Sequence, residues 1–152
     1  MLSRRDWLRS SALASAALLV RSRVSPAEGP LPVVTVYKDA SCECCARWVK
    51  YLNGNGFVVN VHDMLNMDEI KTTMRVPQAL QSCHTAVVGA YVVEGHVPAD
   101  LIKKALREKA PVSGLAVPGM VTGSPGMEGG TPQHYDVIAW DRTGKTHVYA
   151  KR

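Results

Sequence analysis

Residues 33–45 run Val33-Val34-Thr35-Val36-Tyr37-Lys38-Asp39-Ala40-Ser41-Cys42-Glu43-Cys44-Cys45. The β-branched first part of this stretch predicts a strand, and the cysteines begin a segment, 44–52, whose composition favours a helix. The start of a helix offers unpaired backbone N–H groups and the positive end of the helix dipole. Thiolates held there are stabilised, so we expect lowered thiol pKa values. Such thiolates bind soft metals or exchange disulfides.

The segments that follow alternate between strand-like and helix-like patterns. Asn53-Gly54-Asn55-Gly56 ends the first helix and residues 57–61 predict a second strand, so the first three elements form a right-handed parallel βαβ unit. The remaining predictions are a short helix at 68–74, two hairpin strands at 85–88 and 91–94, and a helix from Pro98 to about Lys109. The order βαβ-α-ββ-α predicts an α/β fold with a thioredoxin-like core.

The C-terminal part adds elements to that core. Residues 114–130 are rich in Gly and Pro and contain Met120 and Met127, and they predict a loop that is too long for a simple connector. Residues 135–140 and 145–149 predict a C-terminal β-hairpin. The predicted domain, residues 33–152, therefore joins a thioredoxin-like core to a Gly/Pro/Met-rich loop and a hairpin.

The first 27 residues have the features of an export signal. Ser3-Arg4-Arg5-Asp6-Trp7-Leu8-Arg9 resembles the twin-arginine motif, and the apolar run at 10–20 is too short to span a bilayer, which takes about 20 residues. Ser25-Pro26-Ala27 suits cleavage after position 27, with 28–32 as a linker. We therefore expect a periplasmic domain, exported by the twin-arginine route, without stable membrane association after cleavage. A retained N-terminal anchor is the alternative.

The net charge of +5 comes mainly from this leader, in which five arginines stand against one acid. Removing that +4 leaves +1 for the rest of the chain. A nearly neutral domain lacks the basic surface that a polyanion requires, so we expect no nucleic-acid partner.

Two chemistries compete for the cysteine cluster. Cys42 and Cys45 form a C-x-x-C pair, which on a thioredoxin-like scaffold is typical of dithiol redox chemistry. Cys44 adds a third sulfur, and three thiolates at one helix start can surround a monovalent soft cation or a small thiolate-bridged cluster. A purely structural role, with buried cysteines acting as small hydrophobic residues, is the third alternative.

Other candidate ligands lie further along the chain. Cys83 and His84 fall just before the third predicted strand, where the loop of a thioredoxin-like fold faces the first helix, so both could join the cluster. A buried Cys beside a hydrogen-bonded His is the alternative. His96 follows the predicted hairpin and could instead be a surface residue. Met120 and Met127 offer thioether sulfur, which suits monovalent copper, although Met more often fills gaps in packing.

Several blocks of the sequence together resemble the CxCC copper-resistance family, often called CopG. The blocks are Cys42-x-Cys44-Cys45-x-x-Trp48, Ser82-Cys83-His84-Thr85-Ala86, Glu94-Gly95-His96-Val97-Pro98-Ala99 and the Pro-Gly-Met segments at 118–120 and 125–127. The resemblance implies a thioredoxin-like periplasmic protein that binds copper as Cu(I) through CxCC, in a multinuclear cluster, and cycles it between two oxidation states. Family members commonly carry Gly where this chain has Glu43, whose negative charge should favour cation binding and raise thiol pKa values slightly.

Two functions follow as hypotheses. The first is a copper-binding protein for copper handling and resistance, whose partner would be another periplasmic copper or electron-transfer protein. Its ligands would be Cys42, Cys44, Cys45 and Cys83, with His84, His96, Met120 or Met127 closing the site. The second is a thiol-disulfide oxidoreductase in which Cys42 attacks and Cys45 resolves, without metal. Redox catalysis on copper itself would combine the two.

Overall fold

The computed structural model describes residues 29–152, so the predicted signal peptide at 1–27 lies outside the described residues. Its elements are β1 (Val34–Asp39), α1 (Glu43–Gly54), β2 (Val59–Met64), α2 (Met67–Thr73), a 3-10 turn (Gln78–Leu80), β3 (His84–Val88), β4 (Tyr91–Glu94), α3 (Ala99–Glu108), β5 (Gly114–Ala116), β6 (Asp136–Trp140) and β7 (Thr146–Lys151). The mixed α/β class and the order βαβ-α-ββ-α are confirmed, whereas the thioredoxin-like assignment stays a prediction. Within residues 29–152, no helix has both the length and the apolar character needed to cross a membrane.

One mixed sheet of seven strands organises the domain, in the order β2-β1-β3-β4-β5-β6-β7. β1 pairs in parallel with β2, as the predicted βαβ unit requires, and antiparallel with β3. β3 and β4 pair antiparallel, as the predicted hairpin requires. Val34 and Val36 alternate towards one face and are fully buried against Trp48 and Leu52 of α1. Because Trp48 and Leu52 are four residues apart, they lie on the same face of α1, and that face packs against β1. The first turn of α1 therefore lies at the carboxyl end of β1.

Helix α2 lies on the opposite face of the sheet from α1. On β3, Ala86 belongs to the core that contains Trp48, whereas its neighbour Thr85 points to the other face because side chains alternate along a strand. Lys71 of α2 donates to the hydroxyl of Thr85 at 3.2 Å. The central strands are thus covered on both faces.

Strand β5 corrects the prediction of an unbroken loop over residues 114–130. Gly114–Ala116 pairs in parallel with β4 and antiparallel with β6, and it joins the C-terminal hairpin to the sheet. Gly114 is required there, because a Cβ at this position would collide with the ring of Trp140 and the carbonyl of Val92. Three residues are too few to show strand periodicity, so these partners determine the extended conformation.

Candidate metal centre

The turn between β1 and α1 places the first cysteines. Cys42 is the N-cap residue of α1, and its backbone N–H donates to the carbonyl of Asp39 at 3.0 Å. The Asp39 carboxylate accepts hydrogen bonds from the hydroxyl and the backbone N–H of Ser41, at 2.5 and 2.8 Å, and these bonds lower its pKa. The turn is therefore tight, and Cys44 and Cys45 follow in the first turn of the helix.

Four sulfur atoms meet at this end of α1. Cys42 and Cys45 form a disulfide, whereas Cys44 and Cys83 are free thiols. The Sγ atom of Cys44 lies 3.5 Å from that of Cys42 and 4.0 Å from that of Cys83. All four sulfur atoms lie within 4.8 Å of one another. Cys45 is fully buried and the other three are partly exposed, so the group opens to the surface.

Two imidazoles border the same group on the side of Cys83. His84 is the first residue of β3, which begins one residue earlier than predicted, and its Nδ1 lies 3.3 Å from the Sγ of Cys83. The Nε2 of His96 lies 3.1 Å from the same sulfur. Its Nδ1 lies 2.8 Å from the carbonyl of Pro125, and because a carbonyl only accepts, Nδ1 carries the proton. The lone pair of Nε2 therefore points at Cys83.

Burial keeps these groups uncharged in the metal-free state. Burial, with further contributions from His96 and Lys71, lowers the pKa of His84 well below its ordinary value. Burial also lowers the pKa of His96. The pKa of the Cys83 thiol is raised to about 12, first by burial and then by the neighbouring Cys44. The lowered pKa expected for the thiols of α1 does not extend to Cys83, which lies on the loop before β3 and whose pKa is raised by burial.

A loop segment, residues 125–128, covers the first turn of α1; we call it the strap. Arg47 Nε donates to the carbonyl of Gly126 at 2.9 Å, and the backbone N–H of Gly126 donates to the Glu128 carboxylate at 2.8 Å. A Cβ at Gly126 would lie 2.8 Å from the backbone nitrogen of Trp48 and 2.9 Å from the carbonyl oxygen of Cys44. The strap thus rests directly on backbone of the cysteine helix.

The two candidate methionines occupy different environments. Met127 belongs to the strap and is half-buried. Met120 is 61% exposed, next to Gly119, whose carbonyl accepts the hydroxyl of Ser82. The loop therefore passes close to the segments that carry Cys44 and Cys83, and Met120 lies on its outer side.

Comparison with known proteins gives three findings. A family described as a protein of unknown function, DUF411, matches residues 80–127. No curated protein matches. A solved structure titled copper resistance protein CopG, form 2, is 46% identical with a TM-score of 0.77, covering 82% of this chain and 99% of that one. Form 1 is 45% identical with a TM-score of 0.76, covering 80% and 98%.

The chain belongs to the CopG family. The resemblance drawn from the CxCC motif and the later blocks is thereby confirmed. The match spans nearly the whole of the solved relatives.

In this CopG-family chain, one buried carboxylate holds the segment 82–85 that carries Cys83. Glu94 of β4 accepts hydrogen bonds from the backbone N–H of Ser82 and the hydroxyl of Thr85, each at 2.6 Å. Lys71 forms an ion pair with Glu94, and both side chains are almost completely buried. Burial raises the pKa of Glu94, while hydrogen bonds from Lys71 and Thr85 oppose that shift.

Sequence reasoning missed the residues that hold the candidate ligands in the CopG-family site. Glu94 carried a signal, because a carboxylate at the end of the apolar strand Tyr91–Glu94 needs a cation or donors if it is buried. No sequence signal points to Lys71 or Arg47, because basic residues on helices are ordinarily exposed. Trp48 has no sequence signal for a polar contact, yet its Nε1 donates to the Val97 carbonyl at 3.0 Å.

Proposed function

We propose that this chain binds Cu(I) through Cys42, Cys44, Cys45 and Cys83 and acts in copper handling and resistance. The observation that carries the proposal is the convergence of four sulfur atoms within 4.8 Å. Soft thiolate sulfur suits Cu(I), and it also binds Zn(II), but zinc sites more often take their ligands from two separated pairs than from one crowded turn. Two similar solved structures bear the name copper resistance protein, which agrees with this donor set.

We expect the site to hold more than one copper ion and to use two oxidation states of copper. A thiolate can bridge two Cu(I) ions, so four neighbouring sulfurs favour a multinuclear cluster over a single ion. Imidazole is a good ligand for Cu(II), and His84 and His96 lie 3.3 and 3.1 Å from the Cys83 sulfur. A mixed sulfur and nitrogen site of this kind suits Cu(I)/Cu(II) cycling. Met127 in the strap and Met120 outside it are further candidate ligands.

Binding by all four sulfurs requires a reduced Cys42–Cys45 pair. Two electrons and two protons convert the disulfide to two thiols, and the thiols lose their protons when they bind metal. A dithiol reductant or an electron-transfer protein would supply the electrons. Copper loading and disulfide state are therefore linked in the proposal.

The proposal places the protein in the periplasm. Its support is the twin-arginine motif with Arg4 and Arg5 and the short apolar run at 10–20. Replacing both arginines by lysine should prevent export, which cell fractionation would measure. Unchanged periplasmic accumulation of that variant would contradict the twin-arginine route.

Anaerobic titration of the fully reduced protein with Cu(I), in competition with a chromophoric chelator, tests the copper site. We expect more than one Cu(I) per chain. Cys83→Ser should lower the number bound, because it removes one sulfur and leaves the other three in place. A protein that binds no Cu(I) with all four thiols reduced would contradict the proposal.

A second candidate function, thiol-disulfide exchange, is favoured by the disulfide itself. Cys42 is partly exposed and Cys45 is fully buried. That pattern suits an accessible attacking thiol and a protected resolving thiol. Copper binding would use the sulfur of Cys44, whereas disulfide exchange would not need it. The two candidate functions therefore predict different effects of replacing Cys44.

A further inference from the structure

Strand β2 forms one end of the sheet, and its outer edge has no partner strand in the described part of the chain. The backbone N–H of Val34 donates to the carbonyl of Val58, and the groups of β2 that bond to β1 alternate along the strand from there. The N–H and carbonyl groups of Val59, Val61 and Asp63 therefore point away from the sheet. An edge of this kind can pair with a further strand.

The two edge strands of the sheet differ in how well they are protected. At the far end, the ladder between β6 and β7 has a bulge next to Val137 and Ile138, and β7 ends at Lys151. Bulges and lysines on an edge strand hinder pairing with another chain. β2 pairs with β1 over six consecutive residues without a bulge, and it contains neither proline nor lysine. The unprotected edge is therefore that of β2.

Exposed apolar side chains concentrate on β2 and beside it. Six large apolar side chains are exposed in the described part of the chain, and four of these are Val33, Val58, Val61 and Leu65. Val33 precedes β1, the neighbour of β2, and the other three lie within β2 or next to its ends. Scattered apolar residues are normal on a surface, whereas a group along one open edge indicates an interaction surface.

The charge of β2 favours a second copy of the chain as the partner. Asp63 is the only acidic or basic residue of β2 besides a histidine, and the ammonium of Lys38 lies 2.7 Å from its carboxylate. Two copies of β2 can therefore approach each other without strong repulsion between like charges. A highly charged peptide would find no complementary charge on this strand.

One antiparallel register makes β2 complementary to itself. Opposite residues that exchange hydrogen bonds must both direct their backbone groups outward, and Val61 meets this condition at the centre of the strand. A two-fold axis at Val61 places Val61 opposite its own copy and Val58 opposite Met64 of the second copy. Apolar side chains are thereby paired with apolar side chains. Shifting the pairing by one hydrogen-bonded step towards the carboxyl end would place Val61 opposite the charged Asp63 instead.

The size of the edge predicts a weak dimer. Six residues extend about 20 Å, and contact along one strand edge buries less surface than the about 800 Å² per partner of a standard interface. Association should therefore depend on protein concentration. Because the paired strands run in opposite directions, the two cysteine clusters, each at the carboxyl ends of β1 and β2, lie at opposite ends of the pair and stay open.

We propose that two copies of this chain associate through β2, paired antiparallel about a two-fold axis at Val61, so that one sheet continues across both chains. The same surface is used on both copies, as in other two-fold dimers. The proposal does not depend on copper, so it stands or falls separately from the proposed function.

Sedimentation equilibrium of the copper-free protein, in a reductant that prevents disulfides between chains, tests the inference. We expect the average mass to rise from one chain towards two between about 10 µM and about 1 mM protein. Val61→Lys places two ammonium groups opposite each other and should weaken association by more than about 10-fold. Val148→Lys is the matched control, because Val148 is 47% exposed against 42% for Val61 but lies on β7. Circular dichroism checks that both variants retain the fold.

Oxidative cross-linking tests the register. Opposite residues of a hydrogen-bonded antiparallel pair have Cα atoms about 5.5 Å apart, which a disulfide can bridge, so Val61→Cys should link the two chains. Asp63→Cys should not, because four residues along the strand place the two copies of position 63 about 13 Å apart. Peptide mass spectrometry would identify a link through position 61 of both chains, and wild-type protein controls for its four native cysteines.

Three results would overturn the inference. The first is a protein that stays monomeric up to about 1 mM. The second is a dimer that Val148→Lys weakens as much as Val61→Lys does, since the contact would then not be specific to β2. The third is cross-linking through position 63 as readily as through position 61, which would exclude the two-fold axis at Val61.

Discussion

The thiol sulfur of Cys83 lies 4.0 Å from that of Cys44, although 39 residues separate them in the chain. β1 and β3 are antiparallel neighbours, so the residue before β3 and the residues after β1 lie at the same edge of the sheet. A metal ion bound by both thiols would link the loop before β3 to the first turn of α1. Ligands that bind only the folded state stabilise it, so copper should raise the unfolding temperature.

Replacing Cys44 separates the two candidate chemistries. Cys44→Ser and Cys45→Ser should each lower the number of Cu(I) ions bound by the reduced protein, since each removes one of four sulfurs. In an insulin reduction assay, Cys45→Ser should abolish any turnover, and Cys44→Ser should leave it largely intact because Cys44 is outside the disulfide. Equal loss of turnover in both variants would count against exchange through Cys42 and Cys45.

Alkylation of Cys83 should depend on pH in an unusual way. In the metal-free disulfide form its thiol has a pKa of about 12, so it is protonated near neutral pH and only the small thiolate fraction reacts. Its rate of reaction with iodoacetamide should rise about tenfold per pH unit between pH 8 and 10, without a plateau. Peptide mass spectrometry would follow the rate, with the urea-unfolded chain as control, which should level off above about pH 9. A plateau near pH 8 in the folded protein would contradict the raised pKa.

Gly126→Ala should displace the strap. The added Cβ would meet backbone atoms of Trp48 and Cys44 at 2.8 and 2.9 Å, and the backbone φ of +85° adds strain. Gly129→Ala is the matched control, because φ is also positive there but no atom lies within 4 Å of the added carbon. Overpacking should lower the free energy of unfolding by about 1–3 kcal/mol more in Gly126→Ala than in the control. Urea unfolding measures the difference, and equal losses would show that the close contact is relieved without cost.

Glu94→Gln should destabilise the fold, because it leaves the buried charge of Lys71 without its partner. Breaking a buried ion pair costs about 3–5 kcal/mol. Lys71→Met should have a similar effect, and the double variant should lose less than the sum of the two. Asp100→Asn provides the contrast, since its ion pair with Arg152 is exposed and is worth about 1 kcal/mol or less. Unfolding free energies that match the Asp100 variant would rule out a structural role for the buried pair.

Local patterns were sufficient to predict most of the fold. Alternation in β1 and the helical spacing of Trp48 and Leu52 each bury one face, and the sequence expresses these periods directly. β5 has no such pattern, because its conformation depends on partners in β4 and β6 that lie far away in sequence. Pairing across a sheet is therefore the part of the fold that local reasoning could not supply.

The candidate site likewise contains residues that the sequence predicts and contacts that it could not predict. Cys42, Cys44 and Cys45 stand out in the sequence because three thiols in one helical turn have few uses other than metal or disulfide chemistry. The orientation of His96 depends on the Pro125 carbonyl, which is contributed by a loop 29 residues away. Such contacts arise from tertiary packing, so the residue type suggested a ligand but could not indicate which nitrogen faces the sulfur.

The three-residue strand β5 has a consequence for the cooperativity of the protein. The backbone N–H of Ser113 donates to the carbonyl of Trp140 at 2.7 Å, and that of Val117 donates to the carbonyl of Glu94 at 3.0 Å. The terminal hairpin and the hairpin that precedes His96 are thereby parts of one hydrogen-bonded ladder, and segments joined in this way open together. Amide protons at 114–117 should exchange with deuterium as slowly as those of β3, despite the Gly- and Pro-rich neighbourhood. Fraying of the carboxyl terminus would then propagate to Cys83 and His96, although both residues are distant from the terminus in sequence.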